Sequence, residues 1–170
     1  MSTMEVDREV AGVCAKVGVA MIADCVDALG ADAGYVGTVS EDGETLEVAR
    51  VTPYCRVPVR LSFPLEAPYP LAATVRERRP LFIANNEQLA CDHPGLVRVK
   101  SEDHACATLP ITAPGGEVLG AVNFAFDDPH YFTQEERDLI AVAGQRLAEA
   151  MTAAKYLEVE LGTRATASSA

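Results

Sequence analysis

Apolar side chains at Val10, Val13, Cys14, Val17, Met21, Val26 and Leu29 recur close to every 3.6 residues and predict a helix over 7–29, stopped at Gly30. Gly12 and Gly18 weaken it locally. Two short runs, 34–40 and 45–51, flank Asp42-Gly43 and predict a hairpin. Residues 52–70 then carry Pro53, Pro58, Pro64, Pro68 and Pro70. Proline lacks the ladder donor, so this stretch reads as an irregular crossover, extended in places and lying over one sheet face. A short helix follows over 70–78, with Pro70 in its first turn and Pro80 beyond its end, and then a strand over 81–85. Residues 86–103 are polar and irregular.

The clearest strand pattern is a second hairpin, 105–112 and 117–126, around Ala113-Pro114-Gly115-Gly116. Along 118–126 both alternating sets are apolar or small, Asn123 excepted, which predicts a central strand covered on both faces. The last element opens on a capping box, Thr133 with Glu136, preceded by Phe132 as a staple. Its stripe of Leu139, Ile140, Ala143, Leu147, Ala150, Met151, Ala154 and Leu157 predicts a helix from 134 to about 160, about 40 Å long. One mostly antiparallel sheet, with terminal helices on one face and loops on the other, accommodates this order.

Composition narrows the function. The 170 residues make one domain, and 49% hydrophobic content is enough for a core. Lys and Arg number 14 against 25 Asp and Glu, a formal charge of −11 that repels polyphosphates and argues against nucleic acid as partner. Arg76, Arg78 and Arg79 read as the solvated end of a helix. No apolar run is long enough to span a membrane, and the acidic N-terminus is not a secretory leader. Five cysteines without framework spacing read as reduced thiols in a cytoplasmic protein.

In the segments LSFPLEAPYPLAATVRERRPLFI and ACATLPITAPGGEVLGAVNFAFDDPHYFTQEERDLIAVAGQRLAEAMTAA the chain resembles a GAF domain, of the sensory kind in actinobacterial signalling proteins. A Pro-Leu segment leads into a helix and an Arg79-Pro80 step to a strand. A Leu-Pro strand, a Gly turn and a Leu-Gly strand follow, then Phe132, Glu135, Glu136 and Arg137 at the last helix start. The resemblance spans about residues 8–158. It implies an α+β, PAS-like fold with a central antiparallel sheet of five or six strands, terminal helices on one face and pocket-forming loops on the other. The expected organisation is a flexible 1–7, a single domain over 8–160 and a flexible tail over 161–170. The resemblance also implies a small-molecule effector, homodimerisation through the C-terminal helix and a kinase, phosphatase or transcriptional output partner. No output domain accompanies the chain, so the expectation is a sensor acting in trans or the sensory segment of a longer protein.

For such a pocket, Tyr35, Tyr54, Cys55, Arg56, Phe63, Asn85 and His104 offer apolar surface with a few polar handles. Arg56 or Arg60 would meet an anionic effector. Cys91, His93, His104 and Cys106 form a thiol–imidazole set suited to zinc, but their spacing departs from the usual knuckle, and they read better as core and loop residues. One GAF subfamily reduces free methionine sulfoxide, and Cys91-Asp92 with Ser101-Glu102 resembles part of its pattern. That subfamily's earlier cysteine segment has no counterpart in SFPLEAPYPL. Haem would need an axial ligand among His93, His104 and His130, and a bilin would need an acidic-Pro motif that the chain lacks. No phosphate-binding glycine loop occurs either. The expected function is therefore a sensor or regulator that is not an enzyme, with a ligand-free dimerisation module as the alternative and a redox enzyme behind both.

Overall fold

The structure, a computed structural model, describes residues 13–98, 100 and 104–169, with side chains at 13 and 55–57 left aside. Among these residues are four helices and one six-stranded sheet. In chain order they are α1 (Val13–Leu29), β1 (Ala33–Val39), β2 (Thr45–Thr52), β3 (Cys55–Pro64), α2 (Pro70–Glu77), β4 (Leu81–Ile83), α3 (Asn86–Asp92), β5 (Ala105–Thr112), β6 (Val118–Phe126) and α4 (Gln134–Ser168). The sheet order is β3-β2-β1-β6-β5-β4, and every neighbouring pair is antiparallel. This is the expected α+β architecture, with six strands. The part of the expected first helix before Val13, and the N-terminal segment 1–7, lie outside the described residues.

Two layers cover the sheet. On one face Ile22 and Val26 of α1 and Ile140, Leu147 and Met151 of α4 pack against Val36, Val122, Phe124 and Ile111. On the other, Leu71, Ala72 and Val75 of α2 pack against Tyr35, Leu46, Phe63, Ala121 and Ala125. From Leu119 to Phe126, β6 is buried at every position, as its doubly apolar pattern predicts. Gly18, which weakens α1 on propensity, has a packing reason. A Cβ there would lie 2.9 Å from Val36 Cγ2 and 3.2 Å from Met151 Sδ, so the bare backbone lets α1 approach both sheet and α4. Gly30 ends α1 with φ 66°, and Ala31 N–H donates to the Val26 carbonyl at 3.1 Å.

Two expectations are corrected. The proline-rich stretch is not a crossover: Pro53 and Tyr54 form a tight turn, and β3 returns along β2 in register from Thr52↔Cys55 to Thr45↔Pro64. Pro58 and Pro64 fit within β3 because it is an edge strand, where half the backbone donors have no ladder partner to lose, and Pro53, Pro68 and Pro70 lie outside it. The C-terminal helix also does not stop near 160. It runs 35 residues to Ser168, through most of the segment expected to be a tail, although its buried positions end at Ala154. Along its last turns the Thr163 and Thr166 hydroxyls donate back to the Val159 and Gly162 carbonyls.

The predicted capping box is present. Thr133 Oγ1 accepts from Glu136 N–H at 3.2 Å, and Glu136 Oε2 accepts from Thr133 N–H at 2.8 Å. His130 Nε2 lies 2.8 Å from Glu136 Oε1, while its ring stacks on Phe126 at 4.2 Å between centroids. Three inputs hold the Glu136 carboxyl below its ordinary value: the Thr133 backbone donor first, then His130 and the Thr133 hydroxyl.

Candidate ligand-binding cleft

The face opposite α1 and α4 carries a cleft. Strand pleat brings Tyr35 of β1, Cys106 of β5 and Asn123 of β6 to it, because alternate residues share a face. Phe63 of the edge strand and Pro70-Leu71 at the start of α2 form the apolar wall, braced by an edge-on Phe63–Tyr69 contact at 4.9 Å. Arg98, from the segment after α3, completes the lining. The enclosed space is about 20 Å³, room for one water molecule.

Its polar groups are few and specific. Asn123, only 8% exposed, donates from Nδ2 to Thr108 Oγ1 at 2.8 Å, which leaves its Oδ1 buried without a hydrogen-bond partner. The register Thr108↔Asn123 sets this pair side by side on the two central strands. Thr74 Oγ1 on α2 is likewise buried and unpartnered. Such orphans cost free energy in a folded protein and call for a water or a ligand. The Tyr35 hydroxyl accepts from Arg50 Nε at 3.1 Å, so that phenol is already held. Arg98 donates from Nε to Asn86 Oδ1 at 2.7 Å and from Nη2 to the His104 carbonyl. Both acceptors are neutral, and no carboxylate among the described residues pairs with it.

Cys106 lines the cleft beside these groups, and Arg98, Asn123 and Thr108 each act to lower its thiol. Burial nevertheless dominates and raises its thiol above the ordinary value, against the pull of the guanidinium. A nucleophilic thiol needs the opposite shift.

Of the residues singled out from sequence, the structure brings Tyr35 and Phe63 together in the cleft. Tyr54 is 98% exposed at the β2–β3 turn and is not part of the cleft lining. Cys55 and Arg56 begin β3, with side chains outside the described set. Asn85 caps α3, its Oδ1 accepting from Gln88 N–H at 2.8 Å, and reaches the Tyr131 hydroxyl at 3.4 Å. His104 is half-buried beside β5 and contributes its carbonyl to Arg98. Cys91 is exposed on α3 while Cys106 is buried, both free thiols, and no metal-holding His, Cys, Asp and Glu cluster occurs among the described residues. Sequence reasoning missed Arg98, Asn123 and Cys106 as lining. Asn123 had a signal, being the one amide on a strand otherwise apolar or small on both faces.

A six-stranded antiparallel sheet between terminal helices and a loop-covered cleft defines the GAF class, and the GAF domain family model matches residues 17–152. The chain belongs to the GAF domain family. No curated protein sequence matches it. Among solved structures it resembles the second GAF domain of DevS from Mycobacterium smegmatis, at 19% identity and TM-score 0.66, over 86% of this chain and 99% of that one. The GAF domain of a phosphoenolpyruvate-protein phosphotransferase from Coxiella burnetii is similar at 17% identity and TM-score 0.66, over 94% and 98%. A free methionine-R-sulfoxide reductase from Neisseria meningitidis, in complex with its substrate, shares 15% identity at TM-score 0.57, over 96% and 89%. At these identities the likeness is one of fold. No described helix is long and apolar enough to cross a membrane.

Proposed function

We propose that this chain is a sensory or regulatory GAF domain of the cytoplasm that takes a small molecule in the cleft between β1, β5, β6 and α2. It pairs with a second copy through α4 and passes its state to a kinase, phosphatase or transcriptional partner. The observation that carries the ligand reading is the buried, partnerless Asn123 Oδ1 at a cleft otherwise walled by apolar side chains. Pairing is supported by a lateral stripe on α4: Leu139, Leu157 and Leu161 are exposed while Ile140, Leu147 and Met151 face the sheet. The small residues Ala143, Ala150 and Ala153 between them allow close helix approach.

The reading assigns the chain no reaction. The cleft thiol is raised by burial, and the second cysteine of the redox alternative, Cys91, lies exposed on α3.

A second reading rests on the small enclosed space. A cleft with room for one water molecule suits a dimerisation module whose own side chains fill the ligand's place. Native mass spectrometry of protein purified gently from its host separates the two. A dimer with a reproducible added mass supports the sensor, a bare dimer the module, and a bare monomer overturns both.

A further inference from the structure

Resting on the pairing reading above, we infer that two copies join through α4 in antiparallel orientation, crossing at Ala150 and Ala153. The part of each helix beyond Ala154 then lies along the sheet-bound half of the other. Starting at Leu139 and stepping by four and three residues, α4 presents one stripe beside its sheet-facing side that ends at Arg164. Its apolar and small members are Leu139, Ala143, Ala150, Ala153 and Leu157; Ala143 and Ala150 are half-buried and the others exposed. Three exposed charges interrupt it, Arg146, Glu160 and Arg164.

Those charges choose the orientation. In a parallel, in-register pair each residue of the stripe meets its own copy, so Arg146 faces Arg146, Glu160 faces Glu160 and Arg164 faces Arg164. Like charges held together at a seam penalise that pairing. Antiparallel pairing removes each clash. With Ala150 set opposite Ala153 of the second copy, Arg146 falls opposite Leu157, Arg164 opposite Leu139 and Glu160 opposite Ala143. The arginine stems then cover leucine, and their heads reach an acid on the next turn. For Arg146 that acid is Glu160, and for Arg164 it is Glu135 in the acidic first turn.

Length gives the same register. Helix α4 runs from Gln134 to Ser168, and its midpoint is Met151, between the two alanines. A pair crossing there overlaps along the whole helix, and small residues at the crossing let the backbones approach. Each helix is buried against its own sheet only as far as Ala154, so the second copy supplies surface for Leu157, exposed in the single chain.

The test uses the full chain with the exposed Cys91 replaced by serine, and Leu139→Cys or Arg164→Cys added singly. In the antiparallel pair the two copies of position 139 lie about 38 Å apart. Neither variant alone should form a disulfide-linked dimer under mild oxidation, whereas an equal mixture should join position 139 to position 164. Self-linking of each variant overturns the orientation and leaves pairing standing. Charge exchange gives a second reading by sedimentation. Arg146→Glu and Glu160→Arg should each weaken the dimer about tenfold, and the double variant should return to within about twofold of wild type. A parallel pair only exchanges one like-charge contact for another, so single variants with unchanged affinity overturn the antiparallel assignment. A chain that stays monomeric at every concentration overturns the pairing reading and the orientation together.

Discussion

The Nε2 of His130 lies 2.8 Å from Oε1 of Glu136, the residue that closes the capping box of α4. The same loop is tied to the end of β4, because His130 N–H donates to the Ala84 carbonyl at 2.9 Å and Asn85 Nδ2 meets the Tyr131 hydroxyl at 3.4 Å. Asn85 and Asn86 open α3, and Asn86 holds Arg98. The start of the longest helix and the cation of the cleft therefore share one short element.

The Glu136 carboxyl is held below its ordinary value of 4.5 in the folded chain. A lowered carboxyl contributes stability that is fully present above the unfolded value and is lost as pH falls through the folded one. Wild type should therefore melt above Glu136→Gln from neutral pH to about 5, with the margin closing as pH falls below about 4.5. Melting curves at stepped pH check this, and a margin that persists at low pH refutes it. Thr133→Ala should cost about 1 kcal/mol at pH 7 in urea unfolding.

Two glycines should respond differently to the same methyl group. At Gly18 the added Cβ meets the ends of two side chains, Val36 and Met151, and the helical gain of Gly→Ala offsets part of the crowding. At Gly120 it would lie 1.8 Å from the Gly37 carbonyl oxygen, where backbone faces backbone and nothing can swing aside. Gly120→Ala should cost about 2–3 kcal/mol or more, and Gly18→Ala less than about 1. Denaturant midpoints of the two variants give the comparison directly.

On α4 stability and assembly should separate. Leu147→Ala empties a fully buried site and should cost about 2–5 kcal/mol. Leu157 is 55% exposed, so Leu157→Asp should leave the melting temperature of the monomer nearly unchanged and dissolve the proposed dimer. Sedimentation at matched concentration reads the second effect. A dimer that survives Leu157→Asp together with Leu161→Asp rejects α4 as the interface.

Thiol chemistry should follow burial. Cys91 is exposed and should react with an aromatic disulfide reagent in the native protein. Cys14 is pushed up to about 11, by burial first and then by Glu158. At pH 8 about one molecule in a thousand carries its thiolate. Peptide mapping after brief labelling should find Cys91 modified, with Cys14 and Cys106 protected until the chain unfolds.

Much of this fold is legible in the amino-acid order because its signals are local. The hairpin of β5 and β6, the capping box and the proline at the start of α2 each depend on neighbours a few residues apart. The β3 strand was hidden because proline density speaks against a strand in general, while its tolerance at an edge depends on where the sheet ends. The far end of α4 was hidden for the converse reason: the buried stripe stops at Ala154, and nothing in periodicity says that the backbone goes on. Tyr35 and Phe63 were named from sequence for their apolar surface, and both stand at the cleft, on β1 and β3. Arg98 was not, because it lies in a polar segment and gains meaning only through Asn86 and the His104 carbonyl.

The buried positions of α4, Ile140, Gly144, Leu147, Met151 and Ala154, step by four and three residues and fix how that helix is rotated on the sheet. Beyond Ala154 the helix is tied by Lys155, which pairs with Glu117 at 2.9 Å, and by Glu158, which accepts from Cys14 N–H at 2.6 Å, and the hydrogen-bonded rod then continues to Ser168. A single residue inserted after Glu158 would leave these contacts in place and turn everything downstream by about 100° while raising it about 1.5 Å. Placed before Ile140, the same insertion would be absorbed in the loop that begins the helix. The angular phase of the helix beyond it is therefore set by Glu158, which makes the turns from Met151 to Glu158 the point where a change at the sheet becomes a rotation.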